Sequence, residues 1–244
     1  MCAVRMMCPA DMMCASHMMN PAEAIYAALE AVKGRENEMC CRYYMEMSPA
    51  LRPIVEAAGR SALYRNNMEK ITKALKTSGE ISPDSLVPVI ASSRSGKKTV
   101  YPMLWGYHEE GIGHAIVNAR SETAAEKRSF REGWAMHRCI IPASGYYEWQ
   151  HLPAPDGKSE KKIKHAVMPK EGEITWLCGL YRIEDGYPHF VILTREAGES
   201  VAFLHDRMPV ILPEDRADEW IDPNRNPHRL IEYAVTDMIA EKVS

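Results

Sequence analysis

Ile174-Thr175-Trp176-Leu177-Cys178-Gly179-Leu180-Tyr181-Arg182-Ile183 and His189-Phe190-Val191-Ile192-Leu193-Thr194 are two apolar runs of strand length, and Asp185-Gly186 lies between them. Asp-Gly accepts the positive φ that a tight two-residue turn requires, so the stretch predicts a β-hairpin. Leu86–Ala91 and Thr99–Tyr107 repeat the pattern around the turn-forming, basic Ser93–Lys98 segment. A further strand is expected over His114–Asn118. Cys139-Ile140-Ile141 and Tyr146–Gln150 read as strands bent at Pro142–Gly145, and Cys40–Met45 and Met208–Leu212 as short strands.

Helical signals are interspersed. Leu63, Ile71, Ala74 and Leu75 predict an amphipathic helix over Ala62–Lys76, ended by Thr77-Ser78-Gly79 and preceded by a loop around Pro49 and Pro53. Thr123 with Glu126 makes a capping box that opens a helix through about His137. Val201–Leu204 predicts a helical turn, and Pro213–Ile221 a short helix with proline first. The lysine-rich Pro153–Lys164 stretch reads as an exposed hairpin loop. Strands in hairpins without βαβ alternation predict an α+β fold, a single domain with a mainly antiparallel, barrel-like sheet core.

A net charge of −3 over 244 residues and a pI near 6.3 exclude a protein coated in basic surface, so any nucleic-acid site must be a local groove. No apolar run reaches the ~18 residues of a membrane span, so no membrane partner is expected. Residues 1–38 stand apart: Met1-Cys2, Met7-Cys8 and Met13-Cys14 recur every six residues. The segment lacks the apolar core of a secretory signal. It is expected to be a disordered extension or a mis-assigned start, with the domain proper over 39–244. Gly34-Arg35-Glu36 can be encoded by the purine-rich codons of a ribosome-binding site, which makes Met39 the expected native start. Outside the repeat only Cys40, Cys41, Cys139 and Cys178 remain, without CxxC spacing. That pattern suggests neither a zinc site nor a disulfide framework and fits a reducing cytoplasm. No cofactor or metal is expected.

Cys40 gains its interest from Met39. Aminopeptidases remove an initiator methionine before a small side chain, and the exposed cysteine then carries a free α-amine beside its thiol. Such a 1,2-aminothiol condenses with an aldehyde to a five-membered thiazolidine, which an internal cysteine cannot do. Four further polar clusters stand out: Asn118-Ala119-Arg120-Ser121-Glu122-Thr123, Gly145-Tyr146-Tyr147-Glu148-Trp149, Thr194 at a strand end, and His205-Asp206-Arg207-Met208-Pro209. Singly, each has an ordinary structural reading: Asn118 as a turn residue, Arg120 as a surface ion pair, Glu148 as a solvent-facing strand position, His205 as a cap.

Together with Met39-Cys40-Cys41-Arg42-Tyr43, Trp105-Gly106, Ile81-Ser82-Pro83, Pro88-Val89, Arg138–Ala143, Gly179-Leu180-Tyr181 and His205–Leu212, these strings resemble the SRAP family (SOS response-associated peptidase), abasic-site processing proteins. The likeness runs in order over roughly 39–212 and is weaker in the last thirty residues. It implies a sensor of abasic sites in single-stranded DNA that crosslinks covalently through its N-terminal cysteine. On matching positions Cys40 is the nucleophile, with Asn118, Glu148 and His205 as the other active-site groups. Arg42 and Arg120 are implied backbone contacts, and Trp105, Trp149 and Thr194 complete the expected DNA-binding set. A monomer in the cytoplasm, nucleoid-associated through DNA, is expected. The family's Met-Cys-Gly-Arg is Met-Cys-Cys-Arg here, so Cys41 replaces a glycine beside the site. The alternative is a cysteine autopeptidase or N-terminal-nucleophile hydrolase acting on peptides, in which the Cys40 thiol cleaves the Met39–Cys40 or Glu38–Met39 bond.

An α-amine, with a pKa of about 7.7–8.0, is partly neutral near pH 7, unlike a lysine near 10.4. Glu148, flanked by Tyr147 and Trp149, is expected to act as acid and base, and His205 to assist opening of the sugar ring or reversal of the crosslink. Asn118 is expected to orient the sugar or amine.

Overall fold

Asp185 and Gly186 both take positive φ, 49° and 80°, and close the turn that the sequence announces. The structure is a computed structural model, and it describes residues 42–67, 71–153 and 160–243. Strands are β1 (Tyr43–Met45), β2 (Gly79–Ile81), β3 (Leu86–Ser92), β4 (Lys98–Trp105), β5 (Asn118–Arg120), β6 (Arg138–Ala143), β7 (Gly145–Pro153), β8 (Glu160–Pro169), β9 (Thr175–Glu184), β10 (Tyr187–Glu196), β11 (Arg207–Pro209), β12 (Ile211–Leu212) and β13 (Met238–Lys242). Helices are α1 (Arg52–Gly59), α2 (Ala62–Asn67), α3 (Arg131–Met136), α4 (Glu214–Trp220) and α5 (Pro227–Ile231).

One sheet runs β13-β8-β7-β1-β2. The other runs β11-β10-β4-β3-β6-β9-β12, with β5 on β10, and β10 also pairs with β9. That extra pairing closes β10-β4-β3-β6-β9 into a ring, the expected barrel-like core. Closure removes open strand edges at its centre. Pairing is antiparallel except that β10 lies parallel to β4 and to β5 over two and three residues. These parallel contacts were not expected.

The apolar runs are continuous because the ring is covered on both sides. Phe190 and Ile192 of β10 join one buried cluster with Val87, Val89, Cys139, Ile141 and Leu177. Val191 and Leu193 point the other way, into a second cluster with Ile90, Ile140, Cys178, Leu180 and Trp220. The period of two therefore sorts each strand into two cores. Trp220 of α4 ties its helix to the ring by donating from Nε1 to Cys139 O (3.1 Å) and Gly179 O (3.3 Å).

Several expected elements differ. The Pro53 region is α1, with proline in its first turn, where its missing N–H costs nothing. The helix expected over Ala62–Lys76 is only α2; residues 68–70 lie outside the described set, and Leu75 pairs with Leu86 as an isolated bridge. The capping box at Thr123 does not open a helix. Residues 121–130 form successive turns, Thr123 Oγ1 is buried without a hydrogen-bond partner among the described residues, and the helix is confined to α3. The strand expected at His114–Asn118 lies further on, at β5. Pro213 precedes its helix as the N-cap. Within the expected Pro153–Lys164 loop, Pro153 and Glu160–Lys164 are strand, since β7 and β8 pair from Tyr146↔Val167 to Pro153↔Glu160; residues 154–159 lie outside the described set. Residues 1–41, and with them the expected extension, start and nucleophile, also lie outside it.

Three ionisable groups make acid destabilising. Burial depresses the His137 pKa below its ordinary value. Burial opposes ionisation of Glu122 and Glu184, yet hydrogen bonds from Arg207 and Arg182 hold both below the usual carboxylate value. In each case the unfolded chain binds protons more readily, so stability rises with pH. The melting temperature is expected to fall first as pH drops below about 6.5 and again below about 4.3. Thermal denaturation across pH 3–8 checks this, and a flat profile contradicts it.

Candidate functional site

Glu148 sits in β7, where the alternation is the reverse of a solvent-facing carboxylate. Tyr146 and Glu148 face inward, 1% and 4% exposed, while Tyr147 and Trp149 are half-buried. One carboxylate oxygen, Oε1, accepts from Trp149 N (3.2 Å). His165 of β8 stands directly opposite in register and is also buried, so Glu148 and His165 share a face. The sequence reading missed His165. The signal was the alternation Ile163-x-His165-x-Val167, which places the histidine in phase with core residues.

Gly145 opens this strand because nothing larger fits. A Cβ there would stand 2.5 Å from Val167 O and 2.6 Å from Tyr44 Oη. Gly145→Ala is expected to cost about 1–3 kcal/mol through forced backbone shifts, read as a lowered melting temperature.

The chain enters β1 alongside β7. Arg42 O accepts from Tyr147 N (3.0 Å), and Tyr43 and Tyr44 pair with Tyr146 and Gly145. Arg42 is half-buried and ion-paired with Glu80 (3.1 Å), which also pairs with Lys164. Lys164 Nζ lies 3.7 Å from the Tyr147 ring centroid and 5.7 Å from that of Trp149, and Tyr44 stacks on Tyr147 at 4.8 Å. The outer face of β7 is thus a ledge of aromatic rings and cations beside the inward Glu148.

Asn118 and Arg120 are carried by β5, paired to Ile192 and Thr194 of β10. His205 precedes β11, which pairs with the end of β10 at Thr194↔Pro209. Arg207 braces the two segments. Its guanidinium binds Glu122 through both oxygens (2.7 and 2.8 Å) and Thr194 O (2.9 Å). Arg207 and Glu122 belong to two of the polar motifs, and their bracing role shows only once the fold brings them together. His205 Nδ1 accepts from Arg207 N (2.9 Å) and lies 2.7 Å from Asp206 Oδ1. Nδ1 therefore has a partner in either tautomer. The two sheets meet near this loop, where Phe203 packs edge-on to His165 at 5.9 Å.

Two residues of the expected DNA-binding set lie in the interior of the described structure. Trp105 is fully buried, packed between Tyr43 (5.2 Å) and Phe190 (6.2 Å), with Nε1 donating to Val117 O. Thr194 is also fully buried, its hydroxyl near Ala119 O. Both support the site from behind. Trp149 remains half-buried and Arg120 exposed. Cys40 lies outside the described residues. Cys139 and Cys178 are free and buried, and burial pushes both thiols well above their ordinary pKa, which makes them poor nucleophiles.

The family model for SOS response associated peptidase (SRAP) matches residues 39–244. The chain belongs to the SRAP family. Similar to this SRAP chain are the abasic site processing protein YoaM of Bacillus subtilis, 39% identical over 146 residues covering 56% of this chain and 62% of YoaM, and the abasic site processing protein HMCES of Gallus gallus, 28% identical over 193 residues covering 62% and 57%. The chain thus spans less than two-thirds of the length of these relatives. A solved protein from Bacteroides thetaiotaomicron shares the SRAP chain's fold with a TM-score of 0.64 at 22% identity, over 84% of this chain and 92% of that one. Among the described residues no helix is long and apolar enough to cross a membrane.

Proposed function

We propose that the chain processes abasic sites in single-stranded DNA by forming a thiazolidine crosslink through Cys40 as its N-terminal residue. Membership of the SRAP family and likeness to proteins named for abasic-site processing support the substrate. The observation that carries the chemistry is the Arg42 O to Tyr147 N hydrogen bond. Arg42 thus lies beside Tyr147, the neighbour of Glu148 in β7, and covalent geometry limits residue 40 to within about 7 Å of Arg42.

The amine attacks the C1′ aldehyde of the open deoxyribose, and loss of water gives an imine. The thiol adds to the imine carbon, its proton passes to nitrogen, and the ring closes. One C–N and one C–S bond form and one water leaves. Closure consumes the imine before β-elimination cuts the strand. Glu148 moves the protons of carbinolamine dehydration and ring closure, His205 those of sugar opening, and Asn118 orients the sugar. Arg42 and Arg120 hold flanking phosphates, while Tyr147 and Trp149 offer faces on which a neighbouring base stacks.

The chemistry requires that residues 1–38 and Met39 be absent from the mature chain. Protein beginning at Cys40 and mixed with an oligonucleotide carrying one abasic site is expected to give a denaturation-resistant adduct, and Cys40→Ala none. An adduct formed equally by Cys40→Ala overturns the proposal. Inert DNA, together with cleavage of the Met39–Cys40 bond when the full-length chain is incubated, points instead to autopeptidase chemistry.

A further inference from the structure

At the turn end of the β9–β10 hairpin, three side chains of metal-ligand type converge. One ligand atom each from His108, Glu184 and His189 lies within 4.8 Å of the other two. His108 follows β4, Glu184 ends β9 and His189 belongs to β10, so the group joins the hairpin to the segment after β4. His189 lies five positions from Thr194 along β10, roughly 17 Å at ~3.3 Å per residue. The cluster is therefore separate from the candidate site.

Each member has one polar atom fastened from outside. His189 Nδ1 donates to Gly106 O (2.9 Å), which leaves the lone pair on Nε2. Glu184 Oε1 accepts from Arg182 Nε (2.7 Å), while Oε2 faces the two imidazoles, 3.2 Å from His108 Nδ1 and 3.4 Å from His189 Nδ1. His108 Nε2 lies 3.4 Å from Asp84 Oδ1, and His108 N donates to the Glu184 carboxylate. These fasteners are themselves fixed. Arg182 rests on the Tyr107 ring at 4.2 Å and donates to His108 O. Gly106 has a φ of +123°, and a Cβ there would meet Ala115 at 2.8 Å. Outer hydrogen bonds that orient histidine and carboxylate ligands are a regular part of metal sites. Ligands about 2.0–2.2 Å from a tetrahedral zinc stand roughly 3.3–3.5 Å apart, close to the 3.2 Å between His108 Nδ1 and Glu184 Oε2; the His189 ring, held through Nδ1, has Nε2 as its ligand atom.

We propose that His108, Glu184 and His189 bind a divalent first-row transition-metal ion of the zinc type, with solvent completing the coordination. Two imidazoles and a carboxylate suit such an ion better than magnesium or calcium, which take oxygen ligands. The ion pins the hairpin turn to the segment after β4 and stabilises the folded state by mass action.

The test is titration of untagged, metal-free, full-length protein with Zn2+ by calorimetry and with Co2+ by visible absorption. The Met/Cys-rich segment and Cys40-Cys41 also offer ligands, so the quantity read is the difference between wild type and His108→Ala, whose lost side chain is half exposed. Wild type is expected to bind one equivalent more, or to bind the corresponding equivalent at least about 10-fold more tightly. Zn2+ is expected to raise its melting temperature by more than the variant's. Glu184→Gln, which keeps the shape of the side chain, is expected to repeat the loss. Equal stoichiometry and affinity in wild type and His108→Ala overturns the proposal and leaves the cluster a hydrogen-bonded network.

Discussion

Glu148→Gln is expected to slow adduct formation on abasic single-stranded DNA by about 10²–10⁴-fold, the range that a positioned acid–base group supplies. The amide preserves the shape of the side chain and can still accept from Trp149 N, so β7 keeps its place. It cannot exchange protons with the carbinolamine or the closing ring. Because Glu148 faces inward and the stacking ledge of Tyr147 and Trp149 faces outward, non-covalent affinity for the same oligonucleotide is expected to change by less than about threefold. Fluorescence anisotropy reads the affinity, and denaturing gels read the rate. A variant that crosslinks as fast as wild type removes Glu148 from the chemistry. One that neither binds nor crosslinks assigns it to the structure of the site.

The largest expected loss of stability lies away from the site, at Arg138. The residue is 2% exposed, and its guanidinium donates to the carbonyls of Trp134, Ala135, Trp220, Asp222 and Arg225. One side chain therefore caps the end of α3, the end of α4 and the turn that follows, and it lies against the Trp220 ring at 5.6 Å. Arg138→Met fills the volume but leaves these carbonyls without a donor, each costing about 1–3 kcal/mol if it stays buried. With partial relaxation the total is expected to be about 3–5 kcal/mol, a drop in melting temperature of about 10 °C for a domain of this size. Arg138→Lys is expected to rescue little of it, because a single ammonium cannot span the planar fork's partners. Full rescue by lysine would show that charge, rather than the multidentate bonding, is what matters there.

How far the fold was legible depended on which interactions were local. Asp185-Gly186 specifies its own turn, so the β9–β10 hairpin follows from two residues and their apolar flanks. The same locality failed at Thr123. Its capping box competes with contacts from distant strands: Ser121 N donates to Thr194 O and Glu122 binds Arg207. Those tertiary bonds hold residues 121–130 in turns. At Pro53 the loop expectation fails because proline is equally at home in the first turn of a helix. The parallel partners of β10 left no mark in the sequence, since pairing direction is set by the path of the chain between strands.

The site was legible by residue type more than by placement. Alternation in β7 shows that Glu148 lies on the face opposite Tyr147 and Trp149, but not which face is the core, and the ordinary expectation for a carboxylate pointed the wrong way. Trp105 and Thr194 sit in matching motifs, yet closure of the ring around Tyr43, Trp105 and Phe190 puts them inside. His165 escaped notice because its role depends on cross-strand register with Glu148, which only the paired hairpin reveals.

The most direct measurement is a map of the adduct. Trypsin releases Cys40-Cys41-Arg42 from a chain that begins at Cys40, and nuclease trims the attached DNA to a single sugar phosphate. Mass spectrometry is expected to find the adduct on that tripeptide, resistant to borohydride and with the Cys40 thiol closed to alkylation, as a thiazolidine requires. An adduct on a lysine, or one on Cys40 whose thiol still alkylates, would contradict the account.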